Sequence, residues 1–186
     1  MSDKIVWTYA VPDDDFTRAG EASSDVKKKL KALGVNPETI RRVSIAMYEG
    51  EINMVIHAGG GKATVTVSEE CIEITLADNG PGIRDIEQAM QEGFSTATDT
   101  VRSLGFGAGM GLPNMKKYAD EFYIESEVGK GTHIKMKSMI DTIEGYEISV
   151  KLSKPAPLQL DGEVIGNVTE LFHQSSMIAS KASIGS

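Results

Sequence analysis

The sequence is poor in cysteine, in basic residues and in uninterrupted apolar runs. Its single cysteine, Cys71, excludes an internal disulfide and an all-cysteine metal site. No apolar stretch approaches the length of about 18 residues that a membrane-spanning helix requires. The N-terminus also lacks the basic and apolar regions of a secretory signal. These absences predict a protein of the reducing cytoplasm that has no membrane segment.

Basic residues are outnumbered, with 19 lysines and arginines against 27 acids and a net charge of −8. The excess is concentrated in residues 51–100, which carry nine acidic and two basic side chains. Without a basic stripe to neutralise phosphates, binding of long nucleic acid is not expected. A single nucleotide stays compatible with this charge, because backbone N–H groups and a metal ion can hold its phosphates.

The chain has 186 residues, of which 40% are apolar, enough for one domain with a real core and a small appendage. Hydrophobic periodicity and turn residues predict strands and helices in succession before residue 140. In chain order these are a strand at 5–11, helices at 16–33 and 37–58, strands at 63–68 and 71–77, short helices at 85–91 and 112–119, and strands at 121–128 and 132–139.

Between Gly93 and Gly111 lie five glycines and no periodicity, which predicts a mobile loop. The order of elements predicts an α+β fold, a two-layer sandwich with helices on one face of a mixed, mostly antiparallel sheet. Residues 1–140 are predicted to form this domain. Residues 141–186 are predicted to be an extension of unknown role, with a strand at 146–152 and a weak helical pattern at 164–179.

Three polar residues follow one another at intervals of four on the second predicted helix: Glu49, Asn53 and His57. This spacing places them in one stripe along the helix. A carboxylate can deprotonate a nucleophile, and an amide oxygen is a hard ligand that Mg²⁺ accepts beside phosphates and water. A polar outer face of the helix is an equally good interpretation of these three residues alone.

Three glycine-containing motifs follow along the chain. Asp78 begins an Asp-Asn-Gly-Pro-Gly segment in which the carboxylate can accept a hydrogen bond from an adenine amine, although an ordinary turn is favoured when it is considered alone. Alternating glycines at 107–111 precede a helix, where free N–H groups and the helix dipole suit phosphate. Thr132 follows two glycines at the start of the last strand, where a plain hairpin turn is at least as good an interpretation.

Together and in this order, the four motifs closely resemble those of the GHKL superfamily, which includes type II topoisomerases, heat-shock chaperone ATPases, histidine kinases and mismatch-repair ATPases. The resemblance covers roughly residues 35–138. The matching boxes are E-x-x-x-N (Glu49, Asn53), D-x-G-x-G (Asp78, Gly80, Gly82), G-x-G-x-G (Gly107, Gly109, Gly111) and G-x-G-T (Gly129, Gly131, Thr132). Within the superfamily, the chain looks like the bacterial anti-sigma-factor serine kinases.

The resemblance implies a role for each matching residue. Glu49 would be the general base, Asn53 would coordinate Mg²⁺, and Asp78 would bind the adenine amino group with Thr132 behind it. Residues 94–110 would form the ATP lid. Other nucleotide-contacting residues would be Gly80, Gly82, Ile83, Gly107, Gly109, Met110, Gly111 and Leu112. His57 would form the site wall or orient Asn53, and Arg102 would neutralise a terminal phosphate, although it lies farther from the glycine box than the resemblance leads one to expect.

The resemblance also implies a function. No histidine lies in a dimerisation hairpin of the kind that histidine kinases carry, so the chain is expected to phosphorylate another protein. The leading hypothesis is an ATP-dependent serine/threonine protein kinase of the partner-switching type, with ATP and Mg²⁺ as cofactors and an anti-sigma-factor-antagonist-like substrate. A sigma factor and a second copy of the chain are further candidate partners. The alternatives are a nucleotide-gated binding module with little catalysis and a slow ATPase coupled to dimer closure.

Overall fold

A computed structural model describes residues 4–13, 17–103 and 105–140, together with the backbone of two short strands at 157–160 and 163–167. Five strands form one sheet in the order β1-β2-β3-β5-β4, and each neighbouring pair is antiparallel. The elements of this domain are β1 (Ile5–Val11), α1 (Glu21–Ala32), α2 (Pro37–Ala58), β2 (Gly61–Val67), β3 (Cys71–Ala77), α3 (Ile86–Ala89), α4 (Asp99–Ser103), α5 (Gly111–Tyr118), β4 (Glu121–Glu127) and β5 (Gly131–Met139).

The sheet has one buried face and one polar face. In β2, Ala63 and Val65 are fully buried, whereas the alternate residues Thr64 and Thr66 lie on the other face and are partly exposed. This alternation is typical of an antiparallel sheet that is covered on one side. The covering layer is formed by the long helices, and its fully buried side chains include Val26, Leu30, Val43, Met47 and Met115. The predicted two-layer α+β class is therefore confirmed.

Helix α2 is the longest element, with 22 residues, and its ends have clear local causes. The Asn36 Oδ1 atom accepts a hydrogen bond from the Thr39 N–H at 2.8 Å, and Pro37 occupies the first helical position. At the other end Gly59 adopts a left-handed conformation with φ of 67°, which stops the helix. Both signals are local, and the predicted range of this helix is confirmed.

Helix α2 lies directly against the sheet because Gly50 has no side chain. A Cβ atom at this position would lie 2.1 Å from the Leu76 Cδ1 atom of β3, so any other residue would force the buried Leu76 side chain to move. The close packing brings the second half of α2 next to the C-terminal end of β3. It therefore places the Glu49, Asn53 and His57 stripe beside the loop that begins at Asp78.

Helix α1 begins at Glu21, whereas the periodicity predicts a helix from residue 16. Gly20 has φ of 95° and ends the preceding turn, so the chain enters the helix only after it. The first N–H groups of α1 are satisfied from outside the helix: Ala22 N donates to Glu51 Oε1 at 3.0 Å and Ser23 N donates to Glu51 Oε2 at 2.7 Å. The buried carboxylate of Glu51 on α2 therefore caps α1 and joins the two helices.

Other differences from the predicted elements are small and local. The glycine-rich segment contains the short helix α4, so the prediction of a loop throughout is wrong. The sequence predicts a mixed, mostly antiparallel sheet, whereas every pairing within the five-stranded sheet is antiparallel. In the predicted extension, β6 (Pro157–Leu160) pairs with β7 (Glu163–Asn167), so the helical pattern from residue 164 is wrong at its start. The predicted strand at 146–152 lies outside the described residues.

Within the described parts of the chain, no helix is both long and apolar enough to cross a bilayer.

Candidate functional site

A cavity of about 710 Å³ opens between helix α2, the loop after β3 and the glycine-rich segment before α5. Its size lies within the range of roughly 300–1,000 Å³ that small-molecule sites occupy. Twelve of the fourteen residues predicted for the site line it: Glu49, Asn53, His57, Asp78, Gly82, Ile83, Gly107, Gly109, Met110, Gly111, Leu112 and Thr132. Residues from four separate motifs therefore meet in one place.

The three polar residues of α2, Glu49, Asn53 and His57, face the cavity. The alternative interpretation, that they form a polar outer face of the helix, is therefore wrong. All three side chains are partly buried. Glu49 Oε1 accepts a hydrogen bond of 2.7 Å from Asn114 Nδ2, and Glu49 Oε2 makes no hydrogen bond to a described residue. One carboxylate oxygen is thus fixed by a hydrogen bond, and the other has no partner among the described residues and can accept one from a ligand. This is the arrangement that a group accepting a proton from a ligand requires.

Asn53 lies against the first residue of α5. A Cβ atom on Gly111 would be 2.7 Å from Asn53 Nδ2 and 2.8 Å from Asn53 Oδ1, so the glycine leaves room for the carboxamide. The Asn53 carboxamide makes no hydrogen bond within the described parts of the chain. Its oxygen is a neutral, hard ligand of the kind that Mg²⁺ accepts together with phosphates and water. The donor chemistry therefore fits a magnesium ion at this point.

His57 lines the cavity one helical turn beyond Asn53. Burial lowers its pKa below the ordinary value of 6.5, because desolvation disfavours the charged imidazolium. The side chain is therefore neutral at pH 7, when it can both donate and accept a hydrogen bond.

Because burial is the only cause of the lowered pKa of His57, we expect an anion in the cavity to raise it. NMR titration of the imidazole should give a midpoint below 6.5 in the free protein and a higher midpoint with ATP bound. AMP, which lacks the outer phosphates, is the matched control and should give a smaller rise. A free-protein midpoint at or above the ordinary value would contradict the buried position of this side chain.

Asp78 is anchored by the start of β5. Its Oδ1 atom accepts hydrogen bonds from Gly80 N at 2.9 Å and from Thr132 N at 3.1 Å, and its own N–H donates to Thr132 O at 3.0 Å. Gly131 allows this approach, since a Cβ atom there would lie 2.0 Å from Asp78 O. The second carboxylate oxygen, Oδ2, has no partner among the described residues and can accept a hydrogen bond from a ligand amine.

Ser126 is a supporting residue that the sequence analysis missed. Its Oγ atom accepts a hydrogen bond from Ile83 N at 2.8 Å, lies 2.9 Å from Thr132 Oγ1 and donates to Gly131 O at 2.9 Å. One hydroxyl thus connects the loop after Asp78 with the Thr132 motif. Its position at the end of β4 is decided by strand pairing, so no local sequence signal indicates it.

The glycine-rich segment packs on itself before it enters α5. Gly109 has φ of 74°, and a Cβ atom there would lie 2.5 Å from the carbonyl carbon of Gly93, whose N–H donates to Gly109 O at 3.0 Å. Met110, Gly111 and Leu112 all line the cavity at the start of α5. The first N–H groups of a helix lack partners within the helix, so this end of α5 suits an anion.

Two predicted residues do not line the cavity. Gly80 lies behind it, where a Cβ atom would be 2.6 Å from Ala58 Cα at the end of α2. Arg102 is exposed and donates from Nη2 to Ser95 O at 3.1 Å within the glycine-rich segment. Arg84, which the sequence analysis missed, does line the cavity. The sequence signal that could have indicated it is its position two residues after the D-x-G-x-G box.

The fold and this cavity define an α+β domain with a glycine-lined pocket of the size that a small molecule needs, and comparison with known proteins identifies its class. The family of histidine kinase-, DNA gyrase B- and HSP90-like ATPases matches residues 40–141. The chain belongs to this family.

Two relatives are similar over most of their own length. The serine/threonine-protein kinase RsbT of Bacillus subtilis is 34% identical over 124 residues, which are 64% of this chain and 85% of RsbT. An anti-sigma F factor of Clostridium acetobutylicum is 38% identical over 112 residues, which are 58% of this chain and 75% of that protein. Among solved structures, the mycobacterial sensor histidine kinase MprB aligns with 75% of this chain at 14% identity and a TM-score of 0.43.

Proposed function

We propose that this chain is an ATP-dependent serine/threonine protein kinase that transfers the terminal phosphoryl group of ATP to a hydroxyl of another protein. Family membership supports the use of ATP, and the names of the relatives support both the kinase activity and a role in anti-sigma-factor regulation. By this proposal the substrate is a small domain that resembles an anti-sigma-factor antagonist. A sigma factor and a second copy of the chain are further candidate partners, and the site of action is the cytoplasm.

The observation that carries the proposal is the position of Glu49. Its carboxylate lines the cavity one helical turn from Asn53, with Oε1 held by Asn114 and Oε2 open. A protein that only senses a nucleotide has no need of such a carboxylate. A phosphoryl transfer to a hydroxyl does need one, because the attacking oxygen must lose its proton.

In the proposed reaction the atoms move as follows. The substrate hydroxyl oxygen forms a bond to the terminal phosphorus of ATP while the bond from that phosphorus to its bridging oxygen breaks, and ADP leaves. The hydroxyl proton passes to Glu49 Oε2. Asp78 Oδ2 accepts a hydrogen bond from the adenine amine. The N-terminal turn of α5, which contacts Asn53 and Glu49, receives phosphate oxygens.

The charges of the cavity support a magnesium ion in the proposal. Its acidic lining residues are Glu49, Asp78 and Asp85, and Arg84 is the only permanently cationic side chain that lines it within the described parts of the chain. A polyphosphate would meet a net negative surface there. Mg²⁺ would be held by Asn53, and when bound it neutralises charge on the phosphates.

The proposed kinase domain comprises residues 1–140, with 141–186 as an additional segment. The family match to residues 40–141 supports this division.

The test of the proposed function is transfer of labelled phosphate from ATP in the presence of magnesium to a panel of small anti-sigma-factor-antagonist domains. We expect phosphoserine or phosphothreonine on one of them, identified by mass spectrometry. Tight ATP binding without a labelled acceptor would favour a nucleotide-gated binding module. Release of free phosphate without any partner would favour a slow ATPase.

A further inference from the structure

Asn114 makes a contact with the cavity carboxylate that nothing in the four family motifs requires. It lies in the first turn of α5, three residues after Gly111, and its side chain is partly buried. Its Nδ2 atom donates to Glu49 Oε1 at 2.7 Å, across the interface between α5 and α2. A carboxylate can only accept hydrogen bonds, so the direction of this bond is set by chemistry.

The backbone of Asn114 is tied to the glycine box. Its N–H donates to Met110 O at 2.8 Å, and Met110 lines the cavity. The next residue, Met115, is fully buried, so α5 cannot rotate without losing core packing. Asn114 therefore has a defined position relative to the end of α5 that faces the cavity.

Two of the contacts between helices α2 and α5 involve site residues. Gly111 of α5 lies against Asn53, and Asn114 of α5 bonds Glu49, which is one helical turn from Asn53. A shift of the first turn of α5 would change both contacts together. The orientation of the Glu49 carboxylate is thereby coupled to the helix end that is suited to phosphate.

The chemical type of the donor is also informative. Asn114 is a neutral amide, so it orients the carboxylate through a hydrogen bond without placing a cation beside it. The Glu49 side chain makes no ion pair within the described residues, and Asn114 is its only hydrogen-bond partner there. The pair therefore combines a defined position of Oε1 with a second oxygen, Oε2, that has no partner among the described residues.

From these contacts we infer that Asn114 is a positioning residue for phosphoryl transfer: its amide holds Glu49 Oε1 so that Oε2 faces the attacking hydroxyl. This inference rests on the proposed function. Misplacement of a catalytic group by about 1 Å can lower a rate by about a hundredfold. The effect of Asn114 is accordingly on the rate of transfer and not on nucleotide affinity.

The test compares Asn114→Leu, which removes the amide at similar volume, with Asn114→Gln, which keeps an amide donor. At saturating Mg-ATP we expect Asn114→Leu to lower kcat by about 10- to 100-fold, with nucleotide affinity by calorimetry changed by less than about threefold. Asn114→Gln should recover a large part of this loss. Lys116→Leu, at an exposed position on the same helix, is the matched control and should leave kcat unchanged.

Two further measurements separate positioning from a structural role. In a Glu49→Gln background, Asn114→Leu should cause no additional loss of rate, because residues that act as a unit are not additive. In the nucleotide-free protein, the side-chain amide resonance of Asn114 should shift when Glu49 is replaced by alanine. If Asn114→Leu does not fold, Asn114→Ala takes its place, and the resonance measurement needs neither variant.

The outcomes are distinct. Asn114→Leu with the wild-type kcat, or with an additional loss in the Glu49→Gln background, overturns the positioning role while the kinase activity stands. A wild-type protein that binds ATP but transfers no phosphate to any acceptor overturns the proposed function and the positioning role with it. A large loss of affinity with an unchanged kcat also overturns the inference.

Discussion

Replacing Glu49 by glutamine is expected to lower the rate of phosphoryl transfer by about 10²- to 10⁴-fold, the contribution typical of a positioned general base. Glutamine has nearly the same shape, and its side-chain oxygen can still accept the hydrogen bond from Asn114 Nδ2. What it loses is the ability to take up a proton. The expected change is therefore in kcat and not in the binding of Mg-ATP.

The measurement is single-turnover transfer at saturating ATP, with the affinity for ATP determined by calorimetry. Glu51→Gln is not a suitable control, because the Glu51 side chain is buried in the core. The control is a substitution of Glu38, an exposed acid on the same helix. Glu38→Gln should transfer phosphate at the wild-type rate. Unchanged transfer by the Glu49 variant would remove this residue from the role of general base.

A large effect of a different kind is expected at Glu51, two residues further along α2. Its carboxylate is 2% exposed and accepts hydrogen bonds from the N–H groups of Ala22 and Ser23. Glu51→Ala would leave both buried N–H groups without partners and open a cavity between α1 and α2. Because hydrogen bonds to charged groups contribute about 1.5–3 kcal/mol each, we expect a loss of about 3 kcal/mol in the free energy of unfolding.

This loss corresponds to a decrease of roughly 6–12 °C in Tm for a chain of this size. Urea denaturation and a thermal scan would measure it, with Glu38→Ala as the control. Glu38 pairs with Arg41 at the surface, where both side chains are more than half exposed, so its loss should cost less than about 1 kcal/mol. A Glu51→Ala variant as stable as the control would show that the carboxylate does not join the two helices.

The contrast between these two acids shows where sequence reasoning reaches its limit. Glu49 and Glu51 lie on the same helix, and a shift of two residues rotates a side chain by about 200° around the axis. The spacing to Asn53 and His57 identified Glu49 as a member of the polar stripe. No spacing indicated that Glu51 would be buried as a cap for α1, because that depends on a helix 28–29 residues away in the chain.

The same limit applies to the basic residues. Arg102 was expected near a phosphate because it lies in the glycine-rich segment, yet its guanidinium bonds Ser95 O inside that segment. Arg84 lines the cavity because the loop after β3 turns back along it. Which of two arginines faces a cavity is decided by the path of a loop, and a loop path has no periodicity from which it could be predicted.

The sequence by itself determined the order of the main helices and strands, the α+β class and the four motifs, since these follow from local periodicity, from caps such as Asn36 and Gly59, and from the spacing of glycines along the chain. Only the tertiary structure decided which polar side chains share the cavity, which acid is a buried cap and which amide holds Glu49. These features depend on strand pairing and helix packing between distant parts of the chain. The free energy of such a contact depends on both segments, so neither segment's local sequence indicates it.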